Sequence, residues 1–370
     1  GMISFFSPKK LLPRYIQTFE AYVPSRPDPE LMKRYGCSRL FRLNNNENAL
    51  GPPPEAREVL RRFPPKAAAL YPSGDAFYLR HALARQFNKD PEQFLVGNGA
   101  NEVIAFVIKA FCEQGDNIVT ADKTFAVYEW VARFSGLEAR LTPLRDFAFD
   151  DQAMLARMDE RSKIVFLCNP NNPTGTYWDR TRLCGFLDRV DGRAVVVMDE
   201  AYAEFVEARD YPDGMSLMET YPNLVVFRTF SKMYGLAGLR IGYLVGSSEV
   251  VNVIRRTCIV YSVNRLAQEA ALASVPAMDH ILATRQMVRE GQVYLHRELK
   301  ALGLPFISGE GNFLMVRLPF SDTLAYRKLM TRGVMVRTMT TFRFPNYIRI
   351  TISSMEAMEA LITARRRILT

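Results

Sequence analysis

The chain has 370 residues, 48% of them hydrophobic, which is enough to bury one large core and a second, smaller one. Its formal net charge of +9 is spread out. Basic pairs such as Arg61-Arg62 and Arg255-Arg256 are short and lack the interleaved aromatics of a nucleic-acid groove, so the basic balance suits anionic small substrates rather than nucleic acid. No apolar run approaches membrane-spanning length, so no membrane partner is expected. Five widely spaced cysteines without a CxxC pair read as reduced, cytoplasmic thiols, and Gly1-Met2 reads as a cleavage scar. The three histidines, His81, His280 and His296, have no ligand-spaced neighbours, which argues against a zinc site or a histidine-centred triad.

In chain order, residues 1–45 are proline-dotted and read as an arm with little core of its own, joined to part of a small domain. NNNENALGPPP, Asn44 to Pro54, is a turn-rich loop of unusual polar density. A helix follows with Phe77, Leu79, Leu83 and Phe87 on one face. Next come a strand ending at Gly97, a Gly-Asn turn and a helix to about Phe111. DNIVTA, LEARLTPL, SKIVFLCNP, AVVVMDEAY and LVVFRTFSK then read as strands separated by helices. Continuous apolar strands alternating with helices predict an α/β fold, a mostly parallel sheet covered on both faces, over residues 46–267. Residues 268–370 carry long helices, the strands NFLMVRLP and YIRITIS and a final helix, which predicts a smaller α+β domain. In such sheets ligands sit beyond the carboxyl ends of the strands.

Four polar stations follow predicted strands. GNGANE, Gly97 to Glu102, is either a tight structural turn or an anion cradle formed by glycine backbone and the first free N–H groups of a helix. It matches neither a dinucleotide fingerprint nor a Walker loop. NPNNPTG, Asn169 to Gly175, is a rigid loop whose prolines a turn would explain and whose three asparagines it would not. In VVVMDEAY, Asp199 could serve a metal, a base or a ring nitrogen, or could cap the next segment. Glu200 would point away from it, which leaves a single acidic partner. In RTFSKMYGLAGLR, Lys232 is either a surface lysine or a partly buried amine able to form a Schiff base, with Thr229, Ser231 and Arg240 suited to a phosphate. Together the four stations describe a pocket for pyridoxal phosphate, which wants a lysine for its aldehyde and an acid for its ring nitrogen.

With NPNNPTG, DEAY and SK-x7-R in that order, the chain from about Asn44 to Thr351 resembles the fold-type I, pyridoxal-phosphate-dependent aminotransferases of class I/II, and within them the histidinol-phosphate aminotransferase branch. The resemblance implies that Lys232 binds the cofactor aldehyde and shuttles the proton, that Asp199 pairs with the ring nitrogen, and that Tyr202 and Asn172 hold the ring hydroxyl. It implies phosphate contacts from the backbone of Ala100 and Asn101 and from Thr229, Ser231 and Arg240, and ring stacking by Phe125. Arg349 matches the arginine for the substrate's carboxylate or its equivalent. Tyr71 matches a tyrosine lent across a homodimer to the other subunit's phosphate, with the N-terminal arm available to pack on that subunit. Three positions depart from the family pattern: Asn101 stands for an aspartate, Phe125 for a tyrosine and Thr229 for a serine.

Substrate is less constrained. LNNNENALGPP resembles the substrate-side loop of the histidinol-phosphate branch, which makes Asn46, Glu47 and Asn48 candidates for the pocket wall, and Arg337 is a candidate for a substrate phosphate. The expected reaction converts L-histidinol phosphate and 2-oxoglutarate to imidazole-acetol phosphate and L-glutamate. Related enzymes act on aromatic amino acids or decarboxylate threonine phosphate, and the fold does not choose between them. A non-catalytic binding domain would be expected to lose Lys232 or Asp199, and the chain keeps both.

Overall fold

The runs KIVFLC, VVVMD and LVVFRT lie side by side at the centre of a seven-stranded sheet, in a computed structural model that describes residues 5–368; Gly1-Met2 lies outside the described residues. In chain order the strands are β1 (Phe41–Leu43), β2 (Phe94–Gly97), β3 (Asn117–Ala121), β4 (Glu138–Thr142), β5 (Ser162–Cys168), β6 (Val195–Asp199), β7 (Leu224–Thr229) and β8 (Gly242–Val245). They continue with β9 (Phe306–Ser308), β10 (Phe313–Arg317), β11 (Val334–Thr338) and β12 (Tyr347–Thr351).

The large sheet has the order β2-β8-β7-β6-β5-β3-β4 and is parallel except for β8, which runs antiparallel to both neighbours. The sequence reading did not separate β8 from the turn before it, because a four-residue apolar run carries no usable period. Strands β5 to β7 are buried almost throughout, the pattern of a sheet packed on both faces. The helix Arg180–Val190 shows how the covering layer forms. Asp179 caps it by accepting from the Arg182 N–H, Leu183, Phe186, Leu187 and Val190 fall on one buried face, and Asp191 ends it in a left-handed conformation. Each such side chain contributes about 1.5–3 kcal/mol on burial. The helix Phe77–Phe87 buries Leu79, Ala82 and Leu83, but Phe77, expected on that face, is exposed.

The second sheet has the order β1-β11-β12-β10-β9, parallel between β1 and β11 and antiparallel elsewhere. Helices Met278–Ala301 and Met355–Ile368 pack on it through Leu295, Leu299, Met358 and Leu361. The arm is less separate than its prolines suggest: Leu31 is buried against Met330 and Met335, and Leu43 belongs to the small core. The two cores change over between Ala271 and Ile281, later than residue 268, where Pro276 interrupts the helical run. No helix of the described residues is long and apolar enough to cross a membrane.

The two domains meet backbone to backbone where the Glu310 N–H donates to the Gly175 carbonyl at 2.9 Å, and a Cβ on Gly309 would collide with that same carbonyl oxygen. Gly309→Ala should therefore destabilise the protein by about 1–3 kcal/mol. Thermal unfolding checks this, and an unchanged midpoint would mean that the 309–311 turn moves aside freely.

Candidate active site

The carboxyl ends of β5, β6 and β7 and the start of the helix Gly99–Phe111 open into one cavity of about 250 Å³, closed from the other side by β11 and β12. Twelve of the expected residues line it: Ala100, Asn101, Phe125, Asn172, Asp199, Tyr202, Thr229, Ser231, Lys232, Arg240, Arg337 and Arg349. Tyr71, Asn46, Glu47 and Asn48 do not.

At one end the cavity is an anion cradle. Gly99 has φ +79, and its missing Cβ leaves room for the Arg240 guanidinium, which lies against the glycine. Thr229 and Ser231 are both buried, and the Thr229 hydroxyl accepts from the Ser231 N–H at 3.0 Å. Helix N-terminus, hydroxyls and guanidinium converge at this end of the cavity, which suits a phosphate.

At the centre, the buried Asp199 closes β6. It accepts from the Tyr128 hydroxyl at 2.5 Å and from the Ala201 N–H at 3.0 Å. Burial pushes its pKa up to about 6, against the pull of Tyr128, the Ala201 N–H and Lys232. Tyr128 was not anticipated from the sequence, although it follows Phe125 by only three residues, in the first turn of the helix Val127–Phe134. Its ring stacks on Phe166 at 4.8 Å and meets Phe125 edge-on at 5.5 Å. Glu200 does point away from Asp199: its Oε1 accepts from Arg228 Nε at 2.8 Å.

Lys232 is half-buried, and its Nζ donates to the Asn45 carbonyl at 2.8 Å. Burial lowers its pKa to about 8, helped by Arg349 and Arg240 and opposed by Glu47 and Asp199. The asparagines of NPNNPTG divide their work. Asn169 bonds the Trp178 backbone, Asn171 accepts from Thr124 at 2.7 Å and donates to Thr174, and only Asn172 faces the cavity. Asn172 Oδ1 accepts from Arg349 Nη1 at 2.6 Å, while Arg349 Nη2 donates to the Asn44 carbonyl at 2.8 Å. Burial lowers the Arg349 pKa to about 10.

The Asn44–Pro54 loop behaves differently from expectation. Asn46 has φ +55 and reverses the chain, so its neighbours face different ways. Its own side chain is fully buried behind the wall and donates to the Tyr202 hydroxyl at 2.8 Å. Glu47 is held by Arg42 through two bonds, at 3.0 and 2.8 Å, and Asn48 donates to the Met233 carbonyl and to Thr284. The member of the loop on the wall is Asn45, and Phe342 is a further wall residue not anticipated. Tyr71 is 79% exposed, outside this cavity, and stacks on Tyr261 at 4.8 Å.

Removing the Tyr128 hydroxyl takes away a bond that lowers the Asp199 pKa. Tyr128→Phe should raise that pKa further, moving the acid limb of the activity–pH profile upward while activity at alkaline pH is largely kept. An acid limb at the wild-type position would rule out this coupling.

The profile of the family described as aminotransferase class I and II matches residues 38–364. The histidinol-phosphate aminotransferase of Moorella thermoacetica is 38% identical over 355 residues, covering 96% of this chain and 92% of that protein. Among solved structures, histidinol-phosphate aminotransferase from Sinorhizobium meliloti, determined with pyridoxal-5'-phosphate, superposes with a TM-score of 0.87 at 24% identity, covering 99% of this chain and 98% of that one. A Thermus thermophilus aspartate aminotransferase shares the fold at a TM-score of 0.83 and 22% identity, covering 96% and 99%. A lone buried carboxylate, an amine of lowered pKa and an anion cradle in one cavity are the donor set that pyridoxal phosphate requires. The chain belongs to the class I and II aminotransferases, as a fold-type I enzyme that uses pyridoxal phosphate and resembles the histidinol-phosphate branch.

Proposed function

We propose that the enzyme exchanges an amino group between L-histidinol phosphate and 2-oxoglutarate, yielding imidazole-acetol phosphate and L-glutamate. The observation that carries this reading is a pair of arginines. Arg337 and Arg349 are register partners on β11 and β12, both line the cavity, and neither has a carboxylate partner among the described residues. Two adjacent uncompensated cations suit a phosphorylated amino donor in one half-reaction and a dicarboxylic acceptor in the other. The curated relative named above, at 38% identity, supports the same choice.

Pyridoxal phosphate, when bound, supplies the electron sink that stabilises negative charge at the substrate Cα. The backbone N–H groups of Ala100 and Asn101, with Thr229, Ser231 and Arg240, would hold its phosphate, and Asp199 would face its ring nitrogen. Tyr202 and Asn172 would hold the ring hydroxyl, and Phe125 would cover the ring. Asp199 contributes a fixed negative charge whose position Tyr128 sets. Tyr202 stays protonated, since burial raises its pKa to about 12, and the bond from Asn46 fixes its oxygen. Lys232, with a pKa of about 8, has a sizeable neutral fraction near that pH and can take a proton from the substrate Cα and return it. Arg349 and Arg337 orient the substrate's anionic groups.

We propose a homodimer in which Tyr71 enters the other subunit's site. Leu70, Tyr71, Tyr78, Ile259, Val260 and Tyr261 are all exposed, a concentration of apolar surface that favours self-association. The five free thiols support a cytoplasmic, reducing setting.

Lys232→Ala should abolish transamination while leaving the fold intact by circular dichroism; appreciable turnover would end the assignment of the lysine. Histidinol phosphate should bleach the visible band of the bound cofactor at far lower concentration than phenylalanine, tyrosine or phosphothreonine. Arg337→Ala should raise the KM for histidinol phosphate roughly tenfold to a hundredfold, the cost of losing a charge-assisted contact. Preference for an aromatic amino acid, or release of carbon dioxide from phosphothreonine, would overturn the substrate. Mixing subunits bearing Lys232→Ala with subunits bearing Tyr71→Ala should restore activity, because one site of each mixed dimer is then intact. A mixture as inactive as its parents would place Tyr71 in its own subunit's site.

A further inference from the structure

The turn between β11 and β12 is built as a hook. Asp322 fixes it, accepting from the Met339 and Thr340 N–H groups at 3.0 and 2.9 Å and from the Thr340 hydroxyl at 2.8 Å. The next residues reach the large domain. Phe342 is buried on the cavity wall, its ring 5.7 Å from the Arg349 guanidinium carbon. Arg343 then grips the opposite domain: Nη1 donates to the Asp122 carbonyl at 2.7 Å, and Nη2 to both Glu129 carboxylate oxygens at 2.7 and 3.1 Å. Glu129 is nearly buried, and its other cationic neighbour is Arg133 at 3.7 Å. It adjoins Tyr128 on the helix Val127–Phe134, so the grip lands on the element that holds Asp199. Arg343 achieves this from φ +66, a left-handed backbone that L-residues avoid and that persists only where surrounding contacts impose it.

We infer that Arg343 is a positioning residue, whose clasp on Glu129 and the Asp122 carbonyl holds the two domains closed with Phe342 seated beside Arg349, and so sets substrate affinity. The inference rests on reading Arg349 and Arg337 as the substrate's anion site. If the substrate-competent state is the clasped one, loosening the clasp lowers its population and raises the apparent dissociation constant in proportion, without touching the groups that move protons. Neither Arg343 nor Glu129 lines the cavity, so neither is a catalytic residue.

Arg343→Gly is the informative variant, because it removes the guanidinium and relieves the backbone at once, so the fold survives. On cofactor-loaded enzyme, Arg343→Gly and Glu129→Gln should each raise the KM for the amino donor roughly three- to tenfold with kcat near wild type. The double variant should be no worse than either single one, and Arg343→Lys should recover part of the loss. Backbone amides of residues 339–344 should exchange hydrogen faster in Arg343→Gly than in wild type. Wild-type KM and wild-type exchange in that variant, or additive effects of the two substitutions, would overturn the clasp. Absence of turnover by the wild type with any donor would retire the aminotransferase reading instead, and the exchange comparison would still decide the clasp.

Discussion

Arg349 is a buried cation with no counter-anion among the described residues, and the site is arranged around keeping it where it is. Its two terminal nitrogens bond Asn172 of the large domain and the Asn44 carbonyl at the edge of the small one, while the rings of Phe313 and Phe342 lie within 5.9 and 5.7 Å. Neutral acceptors hold such a charge without cancelling it, so its attraction for an incoming anion is preserved in surroundings of low dielectric. The NPNNPTG loop has to be rigid for this to work. Two of its three asparagines serve that rigidity and the third serves the arginine.

The same positive field acts on Lys232. Burial, Arg349 and Arg240 all disfavour its ammonium form, while Asp199 and Glu47 oppose them and lose. A lysine whose pKa falls on folding binds fewer protons than the unfolded chain, so its contribution to stability rises as pH climbs from about 8 toward the unfolded value. A buried aspartate raised to about 6 has the opposite sense, costing stability as it ionises between its unfolded value and that pH. Both groups carry an unfavourable state that a bound cofactor with a positive ring nitrogen and an aldehyde would relieve, which is the behaviour expected of functional rather than structural charges.

What could be read from the sequence follows the same physics. Strands β5 to β7 were legible because parallel strands covered on both faces are unbroken apolar runs, and ligands in such sheets sit beyond the strands' carboxyl ends, which singled out the polar residues there. Asp199, Lys232 and Asn172 were singled out that way, and all three line the cavity. Tyr128 was hidden because a tyrosine on an amphipathic helix reads as core, and it is core on every side but its hydroxyl. The Asn44–Pro54 loop misled because polar density says nothing about direction. The left-handed turn at Asn46 sends Glu47 to Arg42 and Asn48 to Thr284 and leaves Asn45 at the lysine. Arg343 could not be found at all, since its partners Asp122 and Glu129 lie in the other domain.

Strand β1 has a consequence for how the enzyme comes into being. It lies near the start of the chain, yet its hydrogen-bonding neighbour β11 is among the last strands to be synthesised. During vectorial synthesis the large sheet, built from neighbouring strands, can close while the N-terminal segment waits unpaired. Only when β11 emerges can β1 dock, carrying Asn44 and Asn45 with it, and only then do Arg349 and Lys232 acquire the carbonyls that hold them. Lys232 is therefore among the last groups to acquire its hydrogen-bond partner, and its amine is not held in place until nearly the whole polypeptide is present.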